Sequence, residues 1–203
     1  MLQVDLIGSE EGWIGKSRLK AKICLVGEAG VGKTSLIRRF VLDQFDSKYI
    51  KTIGTKVSKK SVHLYDKGRE REVEVVLTIW DIMGQEGFRE LLKNAYFAGA
   101  NGILAVCDVT STESMNKLDG WLDRTYKIAG DVPISILINK MDLIARHQVN
   151  DEILDQFCKA YDCSRFYTSA KSGENVQPSF IDIATRIMME QKHMRSDMIA
   201  IIE

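Results

Sequence analysis

The stretch AKICLVGEAGVGKT, residues 21–34, joins an apolar run to a glycine-rich loop. Residues 21–27 have the length and composition of a buried β-strand, and residues 34–42 predict a helix behind the loop. Between them the chain follows the pattern G-x-x-x-x-G-K-T, which predicts a phosphate cradle. Backbone N–H groups, the helix N-terminus and the Lys33 ammonium would all face the phosphate oxygens. The residues predicted to surround the phosphates are Glu28, Ala29, Gly30, Val31, Gly32, Lys33, Thr34 and Ser35.

Strand-length apolar runs alternate with helical patterns along the rest of the chain. Further strands are predicted at residues 57–66, 72–81, 102–109, 132–139 and 164–169. The turn signal Asp66-Lys67-Gly68 between the first two of these runs predicts an antiparallel hairpin. The alternation therefore predicts an α/β fold with a six-stranded, mostly parallel sheet, one antiparallel strand, and helices on both faces.

Two further helices can be bounded from the sequence. Thr110 and Glu113 have the spacing of a capping box, which predicts a helix start after residue 109. The last long helix is predicted at residues 176–193, with one buried stripe formed by Val176, Phe180, Ile183 and Ile187. The length of the chain fits one domain. The predicted division is an N-terminal extension at residues 1–19, a single domain at residues 20–194 and a C-terminal tail at residues 195–203.

Charge and hydropathy exclude several classes of protein. The chain has 28 Lys plus Arg and 28 Asp plus Glu, so it has no overall basic field and we expect no nucleic-acid partner. No run approaches the roughly 18 apolar residues of a transmembrane helix, and the N-terminus lacks the layout of a secretory signal. The sequence indicates a cytoplasmic protein, with any membrane association made through partner proteins.

The four cysteines form no C-x-x-C pair, which argues against a zinc site. Cys24 and Cys107 lie within apolar, strand-like runs and are predicted to be buried thiols in a reducing compartment. No cysteine follows Cys163, so a C-terminal prenyl anchor is not expected, and Leu2 excludes N-myristoylation.

A D-x-x-G motif, Asp81 to Gly84, ends the predicted strand at residues 72–81. By itself this pattern has about one chance match in a chain of this length. Its position at a strand end gives it meaning, because ligands bind at the carboxyl ends of strands in open α/β sheets. Asp81 and the hydroxyl of Thr34 are therefore predicted to hold Mg²⁺, and the Gly84 N–H is predicted to approach a γ-phosphate.

The motifs Asn139-Lys140-Met141-Asp142 and Ser169-Ala170-Lys171 end two further predicted strands. Guanine presents N1–H and an exocyclic amino group side by side, and the carboxylate of Asp142 can accept hydrogen bonds from both. Adenine has no such pair of donors and would leave the carboxylate unpaired. The sequence therefore predicts GTP and GDP as ligands, together with Mg²⁺. Asp142 and the lack of a second substrate-binding insert disfavour a nucleotide kinase or an ATPase.

With these motifs together, the chain resembles a small GTPase of the Ras superfamily, and within it the Rab branch. The resemblance covers residues 20 to about 192 and implies a P-loop NTPase G domain. It also implies a nucleotide-binding role for Tyr49, and Phe45 against the guanine with the Lys140 stem on its other face. Thr52 would complete Mg²⁺ coordination in the GTP form, and Gln85 would orient the attacking water. Trp80, Phe45 and Tyr96 resemble the aromatic cluster that lies near the switch segments of Rab proteins, and ordinary core packing is the alternative for all three.

The resemblance implies a molecular switch in membrane traffic or signalling, with Lys33 and Gln85 as catalytic residues. Slow intrinsic hydrolysis, an activating protein, an exchange factor and effectors would accompany it, the effectors binding at residues 45–56 and 82–98. Ala29 stands where glycine or serine is commoner in relatives, and its methyl points toward the path of the catalytic groups. The alternative is a pseudo-GTPase scaffold that binds guanine nucleotide with negligible hydrolysis.

Overall fold

The computed structural model describes residues 17–47, 54–82 and 95–200, and for residues 146 and 192–200 the backbone alone. Its strands are β1 (Ser17–Val26), β2 (Thr55–Asp66), β3 (Arg71–Ile82), β4 (Gly102–Asp108), β5 (Ile134–Asn139) and β6 (Ser164–Tyr167). Its α-helices are α1 (Lys33–Leu42), α2 (Thr112–Asn116), α3 (Leu118–Ala129), α4 (Asp151–Ala160) and α5 (Val176–Ala200). A short 3₁₀ helix, Met141–Arg146, follows β5.

The strands of the described part form one sheet in the order β2-β3-β1-β4-β5-β6. β2 is antiparallel to β3, and the other neighbouring pairs are parallel. This confirms the predicted six-stranded sheet with one antiparallel strand. The predicted hairpin turns at Asp66, whose Oδ1 accepts hydrogen bonds from the backbone N–H groups of Gly68 at 3.0 Å and Arg69 at 3.2 Å. The aspartate side chain thus stabilises the turn between β2 and β3.

Apolar side chains cover both faces of the sheet. On one face α1 and α5 pack against β1 and β3, and the ring of Phe180 stacks on that of Phe40 with centroids 4.0 Å apart. The predicted stripe of Val176, Phe180, Ile183 and Ile187 is buried there. On the other face α2, α3 and α4 cover β4 and β5. This two-sided core fixes the carboxyl ends of the parallel strands at one edge of the sheet, where the predicted motifs lie.

β1 begins at Ser17, four residues before the start that the sequence predicted at residue 21. Ser17 pairs with Val73 of β3, and the two strands stay in register as far as Leu25 and Asp81. The segment Ser17–Lys20 alternates between more and less exposed positions, so it lacks the continuous apolar run of a strand buried on both faces. The long parallel partner β3 therefore extends β1 further than its own sequence indicates.

The helix after β4 begins one residue later than the capping-box pattern predicted. The cap is Ser111, whose side chain accepts a hydrogen bond from the Ser114 backbone N–H at 3.2 Å. Thr110 is not the cap, because its hydroxyl donates to Asp108 Oδ1 at 2.8 Å. The predicted cap residue is therefore used to orient an aspartate at the end of β4.

α5 continues to Ala200 and so includes most of residues 195–203. The described part of the chain, α5 included, contains no helix that is both long enough and apolar enough to cross a membrane.

The predicted buried thiols, Cys24 and Cys107, lie within β1 and β4 and are buried, and all four cysteines are free. Burial raises the pKa of Cys24 and of Cys107 to about 12. Both thiols therefore stay protonated at neutral pH and pack as small apolar side chains.

Gly27, where β1 meets the glycine-rich loop, has a positive φ of 134°. A Cβ atom here would lie 2.1 Å from the carbonyl oxygen of Val106 in β4. We expect Gly27→Ala to lower the free energy of unfolding by about 2–5 kcal/mol, because the β4 backbone must move and the φ angle is strained. Urea unfolding of the nucleotide-free protein measures the loss.

Gly120→Ala provides the control for this prediction. Gly120 lies within α3, and a Cβ atom there would meet no atom within 4 Å. We expect this variant to raise the free energy of unfolding by about 0.5–1 kcal/mol, since alanine has a higher helix propensity than glycine. Equal stability of Gly27→Ala and the unmodified protein would contradict the close packing of β1 on β4.

Candidate nucleotide-binding site

The glycine-rich loop, residues 27–32, connects β1 to α1 at the carboxyl edge of the sheet. Lys33, the first residue of α1, folds back over the loop and donates from Nζ to the carbonyl oxygens of Gly27 at 2.7 Å and Glu28 at 2.8 Å. Its side chain is buried, with 6% of the residue exposed. A buried ammonium beside a helix N-terminus attracts anions. The loop therefore has the geometry and the charge of a phosphate cradle.

The side chain of Glu28 anchors this loop to the helices on one face of the sheet. Its Oε1 accepts a hydrogen bond from Trp121 Nε1 at 3.1 Å, and its Oε2 lies 3.5 Å from Lys117 Nζ. Lys117 also pairs with Glu113 at 2.7 Å. The junction of α2 and α3 thus holds the beginning of the loop in place. The sequence predicted Glu28 as a phosphate-loop residue but did not predict this role of its side chain.

Thr34 and Asp81, two of the residues predicted to hold Mg²⁺, meet beside the loop. Thr34 Oγ1 donates to Asp81 Oδ2 at 2.6 Å, while Asp81 Oδ1 is buried without a hydrogen-bond partner among the described residues. Burial raises the pKa of Asp81, and the Thr34 hydroxyl and the ammonium groups of Lys33 and Lys56 oppose that rise. A hydroxyl and a carboxylate suit Mg²⁺, and a bound cation would satisfy the unpaired oxygen. The residues present therefore fit the metal.

Asn139 ends β5 and links the phosphate loop to the loop after β6. Its Nδ2 donates to the Val31 carbonyl at 2.9 Å, and its Oδ1 accepts from the Ala170 backbone N–H at 3.2 Å and the Thr168 hydroxyl at 3.4 Å. A Cβ atom on Gly32 would lie 2.3 Å from Asn139 Nδ2, so only glycine fits this loop position. Asn139 is itself buried and therefore holds the two loops at a fixed separation.

The loop after β6 holds the carboxylate of Asp142 through two side chains. Asp142 Oδ1 accepts a hydrogen bond from Ser169 Oγ at 2.7 Å, and Asp142 Oδ2 lies 3.8 Å from Lys171 Nζ. Asp142 lies in the 3₁₀ helix after β5, and β5 and β6 are neighbouring parallel strands, so their carboxyl ends lie side by side. Both contacts orient the carboxylate, as the predicted pairing with guanine requires.

Lys140 is oriented by an aspartate that the sequence analysis missed. Lys140 Nζ lies 2.5 Å from Asp108 Oδ2. The Thr110 N–H and hydroxyl donate to Asp108 Oδ1 at 2.9 Å and 2.8 Å. Burial favours a higher pKa for Asp108, but Lys140 and Thr110 together hold that pKa below its ordinary value. The position of Asp108 at the carboxyl end of β4, beside β5, is the signal that could have identified it.

The remaining predicted residues lie apart from these contacts or outside the described part of the chain. Phe45 follows α1 and is 38% exposed, and Ser35 is partly buried in the first turn of α1. Trp80 and Tyr96 of the predicted aromatic cluster pack edge to face, with ring centroids 5.5 Å apart. The predicted site residues that lie outside the described ranges are Tyr49, Thr52, Gly84 and Gln85. Their roles stay predictions.

Sequence comparisons agree with this geometry. The family model of the Ras family matches residues 22–189. Human Ras-related protein Rab-30 is 37% identical over 172 residues, which cover 84% of this chain and 81% of the relative. Ras-related protein Rab-8 of Diplobatis ommata is 38% identical over 168 residues, covering 82% of this chain and 77% of the relative. Ras-related protein Rab-13 of Rattus norvegicus is 35% identical over 176 residues, which cover 86% of this chain and 83% of the relative.

The mostly parallel sheet, with its glycine-rich loop between β1 and α1, defines a P-loop GTPase fold. More narrowly, the chain belongs to the Ras family and is a Rab-like small GTPase. As a member of this family it binds GTP and GDP with Mg²⁺ and hydrolyses GTP to GDP and phosphate.

Proposed function

We propose that the chain is a molecular switch whose GTP form recruits effector proteins and whose GDP form releases them. Residues 20–194 would make up the switch domain. The observation that supports the proposal best is the set of contacts among the loops at the carboxyl edge of the sheet. They link a phosphate cradle, a carboxylate and hydroxyl pair suited to Mg²⁺, and an oriented carboxylate suited to guanine within a single site.

In this proposal the phosphates lie in the loop of residues 28–32 and bind its backbone N–H groups. Lys33 places its ammonium against the β- and γ-phosphates, a role supported by its burial and its position over the loop. Thr34 and Asp81 hold Mg²⁺, directly or through water, and Thr52 is the proposed further ligand. Bound Mg²⁺ supplies positive charge that stabilises the phosphate oxygens during hydrolysis.

The guanine base lies against Asp142, which accepts hydrogen bonds from N1–H and the 2-amino group. Phe45 and the aliphatic stem of Lys140 cover the two faces of the base. The ion pair between Lys140 and Asp108 supports this placement, because it fixes the ammonium and with it the stem. Ser169, Ala170 and Lys171 form the wall beside the base.

Hydrolysis proceeds by in-line attack of water on the γ-phosphate, with Gln85 orienting the water and Lys33 stabilising the charge. Ala29 is exposed in the phosphate loop, where its methyl group narrows the approach of Gln85 or of an arginine from a partner. We expect intrinsic turnover of about 10⁻⁴ to 10⁻² s⁻¹, accelerated by an activating protein.

Loss of the γ-phosphate removes the proposed contacts to Thr52 and Gly84. Residues 45–56 and 82–98 then change conformation, and effectors and regulators that bind these segments distinguish the two forms. We place the switch in membrane traffic or signalling, in the cytoplasm and at membranes through its partners. Support for this placement comes from its Rab-like relatives.

The test is to identify the nucleotide that copurifies with the protein and to measure its single-turnover hydrolysis with Mg²⁺. We expect guanine nucleotide, and we expect Gln85→Leu to slow hydrolysis about 100-fold, the loss that follows when the reacting groups are misplaced by about 1 Å. Gln156→Leu, an equivalent change on the exposed surface of α4, is expected to leave the rate unchanged.

Adenine nucleotide in the purified protein would reject the proposed base site. Guanine nucleotide with equal, negligible hydrolysis in the unmodified protein and Gln85→Leu would instead identify a pseudo-GTPase scaffold.

A further inference from the structure

Arg39, near the end of α1, reaches across to the loop after β6. Its Nε donates to the carbonyl oxygen of Ala170 at 2.9 Å, and its Nη2 donates to that of Lys171 at 2.7 Å. Its Nη1 donates to the backbone oxygen and to Oδ1 of Asp43, at 3.2 Å and 3.0 Å. The guanidinium therefore binds two consecutive loop carbonyls and the end of its own helix at the same time.

The loop that receives these bonds is also held by Asn139, whose Oδ1 accepts from the Ala170 N–H at 3.2 Å, and by bonds within the loop itself. The Ser169 N–H donates to the Glu174 carbonyl at 3.1 Å, and the Gly173 N–H donates to the Ser169 carbonyl at 2.8 Å. Gly173 has a φ of 90°, and a Cβ atom on it would lie 3.7 Å from Arg39 Cδ, so the aliphatic part of the arginine lies beside this residue. Arg39 thus attaches this loop to α1, the helix that begins at Lys33 in the phosphate site.

Of the two residues whose carbonyls Arg39 binds, Lys171 contacts Asp142 itself, and Ala170 follows Ser169, which also contacts Asp142. Lys171 contributes the ammonium 3.8 Å from Asp142 Oδ2, and Ser169, which precedes Ala170, donates to Asp142 Oδ1 at 2.7 Å. A continuous series of contacts therefore runs from the Arg39 guanidinium through the loop backbone to both carboxylate oxygens of Asp142. Movement of the loop backbone would turn or displace that carboxylate.

Only arginine can make this set of bonds. Three nitrogens of a planar guanidinium donate in fixed directions, whereas a lysine ammonium at the same place is a point donor on a flexible stem. With 18% of its side chain exposed, Arg39 is shielded enough for charge-assisted hydrogen bonds to be effective.

We propose that Arg39 is a positioning residue for guanine selection: by binding the carbonyls of Ala170 and Lys171, it fixes the loop that orients Asp142. This inference rests on the proposed role of Asp142 in base recognition. A residue that merely stabilises the end of α1 would affect every nucleotide equally. A residue that orients Asp142 affects most the nucleotide that uses both carboxylate oxygens.

The experiment compares dissociation constants of GDP and inosine diphosphate, whose hypoxanthine base lacks the 2-amino group. For Arg39→Gln we expect the GDP dissociation constant to rise about tenfold and that of inosine diphosphate about twofold, as expected when a charge-assisted hydrogen bond loses its geometry. The preference for GDP then shrinks about fivefold. Arg39→Lys is expected to retain part of the preference, since lysine supplies one of the loop contacts.

Asp43→Asn is the matched control. It removes the charge that Arg39 meets at the helix end but leaves the loop contacts intact, and asparagine tolerates the φ of 53° at this position. We expect its GDP preference to equal that of the unmodified protein. Circular dichroism establishes that each variant is folded, and Arg39→Lys, with its smaller change, carries the test should Arg39→Gln not fold.

An unchanged GDP preference in folded Arg39→Gln and Arg39→Lys would overturn the proposal for Arg39 alone. Absence of any preference for GDP over inosine diphosphate in the unmodified protein would overturn the role of Asp142 and this inference with it. An equal loss of preference in Asp43→Asn would assign the effect to the helix end and would also overturn the inference.

Discussion

Asp142→Asn is expected to weaken GDP binding by about 10²- to 10⁴-fold, because it replaces a carboxylate that accepts two hydrogen bonds from guanine. The asparagine amide can still accept one hydrogen bond, but its NH₂ group faces the 2-amino group of the base as a second donor. Xanthine carries a carbonyl oxygen at this position. We therefore expect the variant to prefer xanthosine diphosphate over GDP, measured by competition for binding at fixed Mg²⁺.

The structure supports this prediction because the Asp142 carboxylate is held in one orientation, by Ser169 at 2.7 Å and Lys171 at 3.8 Å. Asparagine has nearly the same shape, so the change tests hydrogen bonding rather than packing. Asp123→Asn, the same change at an exposed position on α3, is the control and is expected to leave both affinities unchanged. Retention of the original GDP preference in Asp142→Asn would refute base selection by this carboxylate.

Lys33→Ala is expected to weaken nucleotide binding by a similar factor, through the phosphates rather than the base. Removing a buried ammonium that faces phosphate oxygens costs about 3–4 kcal/mol, equivalent to about 10²- to 10³-fold in affinity. The carbonyl oxygens of Gly27 and Glu28 also lose their donor, so the loop itself is less well fixed. The dissociation constants of GDP and GTP at saturating Mg²⁺ measure this loss.

Lys33→Ala and Asp142→Asn are distinguished by base preference. Because Lys33 is proposed to bind phosphate, its loss should weaken the binding of GDP and of inosine diphosphate by the same factor. Lys127→Ala, which removes an exposed lysine from α3, is the matched control and should leave the binding of both nucleotides unchanged. Nucleotide binding by Lys33→Ala that matches the unmodified protein would contradict the phosphate cradle.

Much of the fold could be predicted from local patterns. Buried parallel strands are continuous apolar runs, and helices such as α5 carry an apolar stripe, so both can be identified without knowing their neighbours. The ends of the elements could not be predicted equally well. β1 is lengthened by its pairing with β3, and the cap of α2 moves to Ser111 because Asp108 engages Thr110. Each of these differences arises from a partner elsewhere in the chain.

The candidate site shows the same division. Lys33, Thr34, Asp81 and Asp142 could be predicted as site residues because each belongs to a motif at the end of a predicted strand or the start of a helix. Several residues that position them belong to no motif. Asp108 beside Lys140, Trp121 beside Glu28 and Arg39 beside Ala170 became evident only from the three-dimensional contacts.

The sequence by itself determined the class of fold, the phosphate loop, and the motifs for magnesium and guanine, because these depend on residue order over short segments and on strand-end placement. The tertiary structure alone decided which side chains hold those motifs in position. The contact between Arg39 and Ala170 joins residues 131 positions apart, and that between Asn139 and Val31 joins residues 108 positions apart. Such contacts form only when the sheet has brought the strand ends together, so no local sequence pattern can predict them.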